Sequence, residues 1–218
     1  MRQNRYSTPG RQWDCSSVVN TFFTLFEDFI YKENFDGKSN AQEIIDSLKV
    51  TTSVSTKCNR CNTIKKLQNV DLFFFVPLEK NIDNIFLPYS CAIHDFRCEM
   101  CNALSGNPDP PLVTGATQKT EIISFSKNML IKFGRVKFNH DKVLYNVTLP
   151  EINSVLGHNL ILDAWVEHIG QTINCGHYVL IRRLGDGFVK MSDDTFTSNN
   201  NNCITNSNLC YIALLRRL

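Results

Sequence analysis

The sequence predicts an α+β chain, with helices first, an irregular cysteine-bearing middle and an antiparallel sheet last. Three observations predict it. Apolar residues recur at helical spacing in residues 17–31, runs rich in Thr, Val, Phe and Ile fill the chain beyond Val50, and two C-x-x-C-N turns interrupt those runs.

In the first helix, Val18, Val19, Phe22, Phe23, Leu25, Phe26, Phe29 and Ile30 fit one face at i, i+3, i+4, i+7, with Asp14, Ser16 or Ser17 to cap its start. A second short helix is predicted over Ala41 to Leu48, capped by Ser39 or Asn40. Turns then recur, at Asn107 to Pro111 and at Gly185-Asp186-Gly187. The last ninety residues read as strands at Met129–Val136, Leu144–Leu149, Leu160–His168, His177–Arg183, Phe188–Ser192 and Cys210–Leu215. From Tyr178 to Ile181 the run is almost continuously apolar, which predicts a strand covered on both faces. Ser198 to Asn202 reads as a surface loop between two strands.

Composition bounds the function. The 218 residues allow one large or two small domains. With 23 Lys+Arg against 21 Asp+Glu the net charge is +2, too weak a field to imply nucleic acid or an anionic membrane as the partner. The longest apolar stretch, LFFFVPL from Leu72 to Leu78, is far shorter than the roughly 18 to 20 residues of a membrane span. The N-terminal MRQNRYSTPGRQWD is polar, without a secretory core, so the nine cysteines read as reduced thiols of an intracellular protein, cytoplasmic by expectation, with the nucleus and the mitochondrial surface as alternatives. The residues assign no oligomeric state.

Cys58-Asn59-Arg60-Cys61-Asn62 and Cys98-Glu99-Met100-Cys101-Asn102 repeat one pattern. Such a turn aims two thiolates at one metal while its backbone N–H groups donate to the sulfurs. The residue after the second Cys commonly takes a left-handed conformation, which Asn tolerates. Four thiolates close a tetrahedral Zn²⁺ shell with no open position, which makes the expected site structural. Sulfur-only ligation argues against Mg²⁺ and Ca²⁺. The alternatives are four separately buried cysteines, a redox pair and an iron–sulfur cluster. Cys91 stands near the second turn but forms no knuckle with Cys98, and Cys15, Cys203 and Cys210 read as core or surface thiols.

Gly176-His177-Tyr178-Val179 opens an apolar strand after a polar loop at 170–174, which places His177 at a strand mouth. The hairpin turn at 185–187 returns the chain so that Ser192 or Asp193 comes near His177. A base with a polar orienter on the neighbouring strand is two-thirds of a nucleophilic triad. These local features alone also fit a satisfied structural histidine. His94, His140, His158 and His168 read as structural.

The segment WVEHIGQTINCGHYVLIRRLGDGFVKMSDDTFT, with LCYIALLRR after it, resembles the histidine box of the ubiquitin-specific proteases, the papain-fold cysteine deubiquitinases. MLIKFGRV is similar to the strand that precedes that box, with Arg135 at its Arg position, and the paired C-x-x-C turns resemble the zinc ribbon of the family's fingers. Gln12-Trp13-Asp14-Cys15-Ser16 resembles the Gln box, with three positions different. The family's last-strand Tyr is replaced by Leu214-Leu215-Arg216.

The resemblance implies a papain-like fold with partial thumb helices over 1–50, zinc-ribbon fingers over 51–125 and an antiparallel palm over 126–218. It implies His177 as general base, Ser192 as the third triad member in the manner of a minority branch, Asp193 as a nearby charge, and Cys58, Cys61, Cys98 and Cys101 as ligands of structural Zn²⁺. A Ser hydroxyl would orient the imidazole through Nδ1–H. The implied activity is thiol-dependent hydrolysis of ubiquitin isopeptide bonds, with ubiquitin or ubiquitinated proteins as partners. No segment matches the family's Cys box, so the isolated chain is expected to be inactive, and neither Cys15 nor Cys175 fits the nucleophile's place. A non-catalytic ubiquitin-binding pseudo-deubiquitinase and a zinc-ribbon interaction module are the alternatives.

Overall fold

A computed structural model of the chain describes residues 15–32, 38–78, 84–107, 109–136, 141–172, 175–199 and 203–218. The helical spacing near the start becomes α1 (Cys15–Lys32). It starts earlier than predicted, so Ser16 and Ser17 stand inside it instead of capping it, and Asp14 lies outside the described residues. α2 (Lys38–Asp46) likewise contains Ser39 and Asn40. It ends before Leu48 because the chain has to turn there: Ser47 Oγ donates to the Ile44 carbonyl at 2.7 Å, and Val50 already opens a strand.

Fourteen strands and a third helix follow among the described residues. They are β1 (Val50–Cys58), β2 (Ile64–Asp71), β3 (Phe73–Pro77), β4 (Tyr89–Ile93), α3 (Glu99–Leu104), β5 (Ala116–Phe125), β6 (Asn128–Gly134) and β7 (Val147–Leu149). Then come β8 (Ile152–Val155), β9 (His158–Thr172), β10 (Cys175–Leu184), β11 (Gly187–Ser192), β12 (Thr195–Asn199), β13 (Ile204–Ser207) and β14 (Cys210–Arg217).

One sheet has four strands in the order β2-β1-β5-β4, and one end of it carries the cysteine turns. Cys58 closes β1, and Ala116 of β5 pairs with both Cys58 and Ile93. The larger sheet has the order β12-β11-β10-β9-β14-β6-β3, with β8 added on β9. Its pairs are antiparallel except β3 with β6, which run parallel. A two-stranded ribbon of β13 and β7 completes the set.

Alternation decides what each strand buries. In LFFFVPL, Phe74 and Val76 are buried while Phe75 between them is 47% exposed. In β6, Met129, Ile131 and Phe133 point into the core, where they join Leu160, Leu162, Trp165, Val179, Ile181 and Leu215. β10 corrects the sequence reading. Val179 and Ile181 are buried but Leu180 is 37% exposed, so this strand is not covered on both faces along its apolar run. The run is apolar because residues of both faces happen to be large, not because both faces pack.

The predicted strands of the last ninety residues are all present; β9, β10, β11 and β14 run longer, whereas β6 ends at Gly134 instead of Val136 and β7 begins only at Val147 instead of Leu144. β9 continues to Thr172, so residues 170–172 of the polar loop expected at 170–174 are strand. β8, β12 and β13 went unpredicted, and β12 runs into the Asn-rich stretch as far as Asn199.

Candidate active site and cysteine cluster

His177 lies near the start of β10, where it pairs with Ile169 of β9. Its neighbour on the other side is β11: Leu180 pairs with Met191, so Ser192 stands one step further along, on the face shared by Val179 and His177. The sequence folds this way because β10 and β11 are joined at Gly185, with φ of +60°, and Gly187, a tight turn that fixes the register. After Ser192 the chain turns again through Asp193-Asp194 into β12, with Ser192 paired to Thr195. Asp193 takes φ of +48°, which Asp tolerates better than most residues, and the Thr195 hydroxyl donates to the Ser192 carbonyl at 2.6 Å. Two short turns thus hold the three predicted residues together.

The imidazole Nε2 of His177 is 2.7 Å from Ser192 Oγ and 3.8 Å from an Asp193 carboxylate oxygen. The sequence reading assigned Nδ1 to the serine, and the structure corrects it. Nε2 is the ring nitrogen farther from the backbone, and it is the one that spans the diagonal to the next strand. With Ser192 as the acceptor of an Nε2–H, the ring keeps its lone pair on Nδ1, and no hydrogen bond to Nδ1 is formed among the described residues. The free nitrogen is therefore the one available to take a proton. Asp193 is 84% exposed at its side chain, so its charge supports an imidazolium only through solvent.

Gly170 and Gly176 face one another beside this ring. Between the pairs Cys175–Thr172 and His177–Ile169, β10 has one residue, Gly176, while β9 has two, Gly170 and Gln171. That is a β-bulge next to the histidine. A Cβ on Gly170 would stand 2.5 Å from the Cys175 carbonyl oxygen, and one on Gly176 would overlap the His168 ring. His168 is fully buried, between Tyr178 at 4.6 Å and Tyr211 at 5.3 Å, centroid to centroid. It underlies the Gly-His pair, a role that its spacing in the sequence does not signal.

Arg135 is buried as well, at 1% exposure. Its guanidinium donates to the carbonyls of Cys210, Val143, Tyr145 and Ser207, which fastens the end of β6 to β13, β14 and the 143–145 segment. Burial depresses its pKa below the usual arginine value. Cys175 is exposed, and Cys210 is buried at the start of β14.

Some distance along the chain, Cys58, Cys61, Cys98 and Cys101 converge, with all four sulfurs within 4.8 Å of one another. Cys58 and Cys101 sulfurs are 3.8 Å apart and those of Cys61 and Cys98 3.6 Å. Cys91 lies on β4, outside this group. The Arg60 N–H donates to Cys58 Sγ at 3.4 Å, as a knuckle requires. Asn62 takes the expected left-handed conformation at φ of +60°. Asn102 does not: it lies within α3, and its side-chain oxygen accepts from the Leu112 N–H at 2.7 Å. The second turn is closed by a helix where the first is closed by a left-handed residue.

Phe96 and Leu112 shield the sulfurs. Burial pushes the Cys58 thiol up, but the Cys61 and Arg60 N–H groups and the Thr114 hydroxyl outweigh it and bring it down to about 6. Cys101 is pushed up to about 12 by burial and by the neighbouring sulfurs. Four thiols this close cannot all ionise unaided, whereas a bound cation would let them. The group could hold a metal ion.

No family profile and no curated protein matches the chain. Solved structures do match its fold, 246 chains in all. One is the SAGA DUB module of Ubp8, Sgf11, Sus1 and Sgf73 bound to monoubiquitin, with TM-score 0.69 and 14% identity over 95% of this chain and 49% of that one. Another is the same module bound to ubiquitin aldehyde, with TM-score 0.67 and 13% identity over 95% and 50% of the two chains. A third is the yeast module with a variant Sgf73, with TM-score 0.66 and 14% identity over 93% and 49%. The chain spans about half the length of the solved chains it matches. Among the described residues no helix is long and apolar enough to cross a membrane.

Proposed function

We propose that this chain, whose α+β fold is that of the ubiquitin-specific proteases, is part of a deubiquitinase domain that supplies the base of a cysteine-peptidase site. The observation that carries the reading is the 2.7 Å contact of His177 Nε2 with Ser192 Oγ, which leaves Nδ1 open for a thiol. Nδ1 takes the thiol proton, the thiolate attacks the carbonyl carbon of the ubiquitin C-terminal isopeptide, and the imidazolium then protonates the leaving lysine amine. Water, activated by the same Nδ1, hydrolyses the thioester. Ser192 holds the ring, and Asp193 adds negative charge as the imidazolium forms. The nucleophile is assigned to none of the nine cysteines.

The proposed domain layout is partial thumb helices in 1–50, fingers in 51–125 and palm in 126–218. The four-cysteine group is proposed to hold Zn²⁺. Tetrahedral Zn²⁺ with bonds of about 2.3 Å to sulfur sets its ligands about 3.8 Å apart, and the sulfur separations of 3.6 and 3.8 Å fit it. Thiolates alone leave no open position, so the ion would hold the fingers together and take no part in catalysis.

Ubiquitin is the proposed partner, in keeping with two structural neighbours that are bound to monoubiquitin and to ubiquitin aldehyde. Titration of ¹⁵N-labelled ubiquitin with the chain tests the binding, and an unchanged spectrum at high micromolar concentration would refute it. A ubiquitin with a thiol-reactive C-terminal warhead tests the chemistry. Labelling that disappears with His177→Ala identifies a working thiol–imidazole pair, whereas binding without labelling identifies this chain as a ubiquitin-holding module.

A further inference from the structure

We infer that Lys142 is a positioning residue for His177, setting the imidazole through the carbonyls of the strand beside it. This rests on the reading of His177 as the base. An ammonium has three protons to donate, and Lys142 meets three acceptors. They are the carbonyl oxygens of Gly170 at 2.6 Å and His168 at 3.0 Å, and His168 Nδ1 at 3.4 Å. The two carbonyls flank Ile169, and Ile169 is the strand partner of His177.

The place matters because it is the bulge. With Gly170 and Gln171 set against Gly176 alone, the ladder is interrupted on the side of His177 toward the strand end, where a strand pair has freedom to slide. Gly170 and Gly176 add no side chains to stop it. Lys142 closes the gap by drawing the 168 and 170 carbonyls onto one charge, with charge-assisted bonds stronger than those of the ladder itself. Its donation to Nδ1 also fixes the tautomer of the His168 ring, which supports Gly176 from beneath.

Lys142 is itself anchored. It bridges Val136, and its neighbour Val143 donates to the Arg135 carbonyl at 2.8 Å, while Arg135 donates to the Cys210 carbonyl at 2.8 Å. The load therefore passes from the buried guanidinium through Lys142 to the bulge and on to His177.

Ring ¹⁵N shifts of selectively labelled histidine in this chain, which report the tautomer of His177, test the inference. In the unaltered protein the Nε2–H form predominates. In Lys142→Met the preference falls by about tenfold, the factor that loss of one charge-assisted hydrogen bond corresponds to, and Lys142→Arg restores part of it. Arg183→Met is the control. It removes a cation of the same strand that pairs with Glu151 at 2.7 Å, and it leaves the His177 signal unchanged. An unaltered tautomer ratio in Lys142→Met, or an equal change in Arg183→Met, overturns the inference. Should Lys142→Met not fold, Lys142→Gln keeps two donors and takes its place, and failure of both to fold also overturns it by showing a structural role alone. No ubiquitin enters this measurement, so a chain that fails to bind ubiquitin refutes the proposed function separately.

Discussion

Gly176 has no room for a Cβ because the buried ring of His168 occupies that space and the Ile169 carbonyl oxygen would stand 2.6 Å from it. Neither neighbour can retreat, since one is packed between two tyrosines and the other is backbone. Gly176→Ala is therefore expected to cost about 1 to 3 kcal/mol of stability by overpacking. Gly187→Ala, where the added atom meets open space and φ needs no glycine, is expected to be near neutral. Denaturant unfolding of the two variants side by side checks this.

Ser192→Ala takes away the one hydrogen-bond partner within 3 Å of His177 Nε2 among the described residues and leaves Asp193 at 3.8 Å. The ring loses its fixed tautomer but keeps a nearby charge. Labelling by the ubiquitin warhead, in a preparation where it occurs, is expected to slow by about tenfold to a hundredfold, with ubiquitin affinity unchanged. Ser192→Asn, which offers a carbonyl at the same point, recovers most of the rate. A fall in affinity equal to the fall in rate would place Ser192 in binding instead.

Burial drives the Cys210 thiol far above the ordinary range, and the opposing pull of Arg135 is smaller. A raised pKa means a neutral thiol at pH 7, and a neutral buried thiol does not alkylate. Cys175 is exposed. Iodoacetamide on the native protein is expected to modify Cys175 early and Cys210 only after unfolding, as peptide mass mapping over time would show.

Arg135 carries a full charge in the core against four carbonyl oxygens that belong to separate stretches of chain. Truncation takes one shared donor group away from all four oxygens at once. Arg135→Ala is expected to lose about 3 to 5 kcal/mol or fail to fold. Arg135→Lys recovers only part of this, because an ammonium has three donors in a small arc where the guanidinium spreads five. Urea midpoints for both variants decide it.

Much of this was legible in the sequence, and what was not has a common cause. The four cysteines declared themselves because a knuckle is local: both the ligands and the turn lie within five residues. The pairing of His177 with Ser192 was within reach because one hairpin sets it. The ring nitrogen that Ser192 meets was not, since side-chain direction depends on where the neighbouring strand lies. Leu180 looked buried because apolarity does not say which face packs. Arg135 stood out only by its place in the resemblance and Lys142 not at all, because most of their acceptors are backbone carbonyls from other segments, and a carbonyl carries no residue identity.

The cysteine group gives the last prediction its sign. With Cys58 brought down to about 6 and Cys101 pushed up to about 12, at pH 7 the first is thiolate and the second holds its proton. A metal that takes all four sulfurs must expel the Cys101 proton, so uptake acidifies an unbuffered solution. Below about pH 6 Cys58 protonates too and competes as well, so affinity falls with acidity and falls more steeply there. Zn²⁺ competition against a chromogenic chelator at pH 8 and pH 5.5 is expected to show this loss, with one ion bound per chain at the higher pH. A strong chelator at pH 8 should loosen β1, β2, β4 and β5, seen as faster amide exchange, while the core of the larger sheet around Met129, Leu162 and Ile181 keeps its protection. An affinity independent of pH would mean that the ligands are not these four thiols.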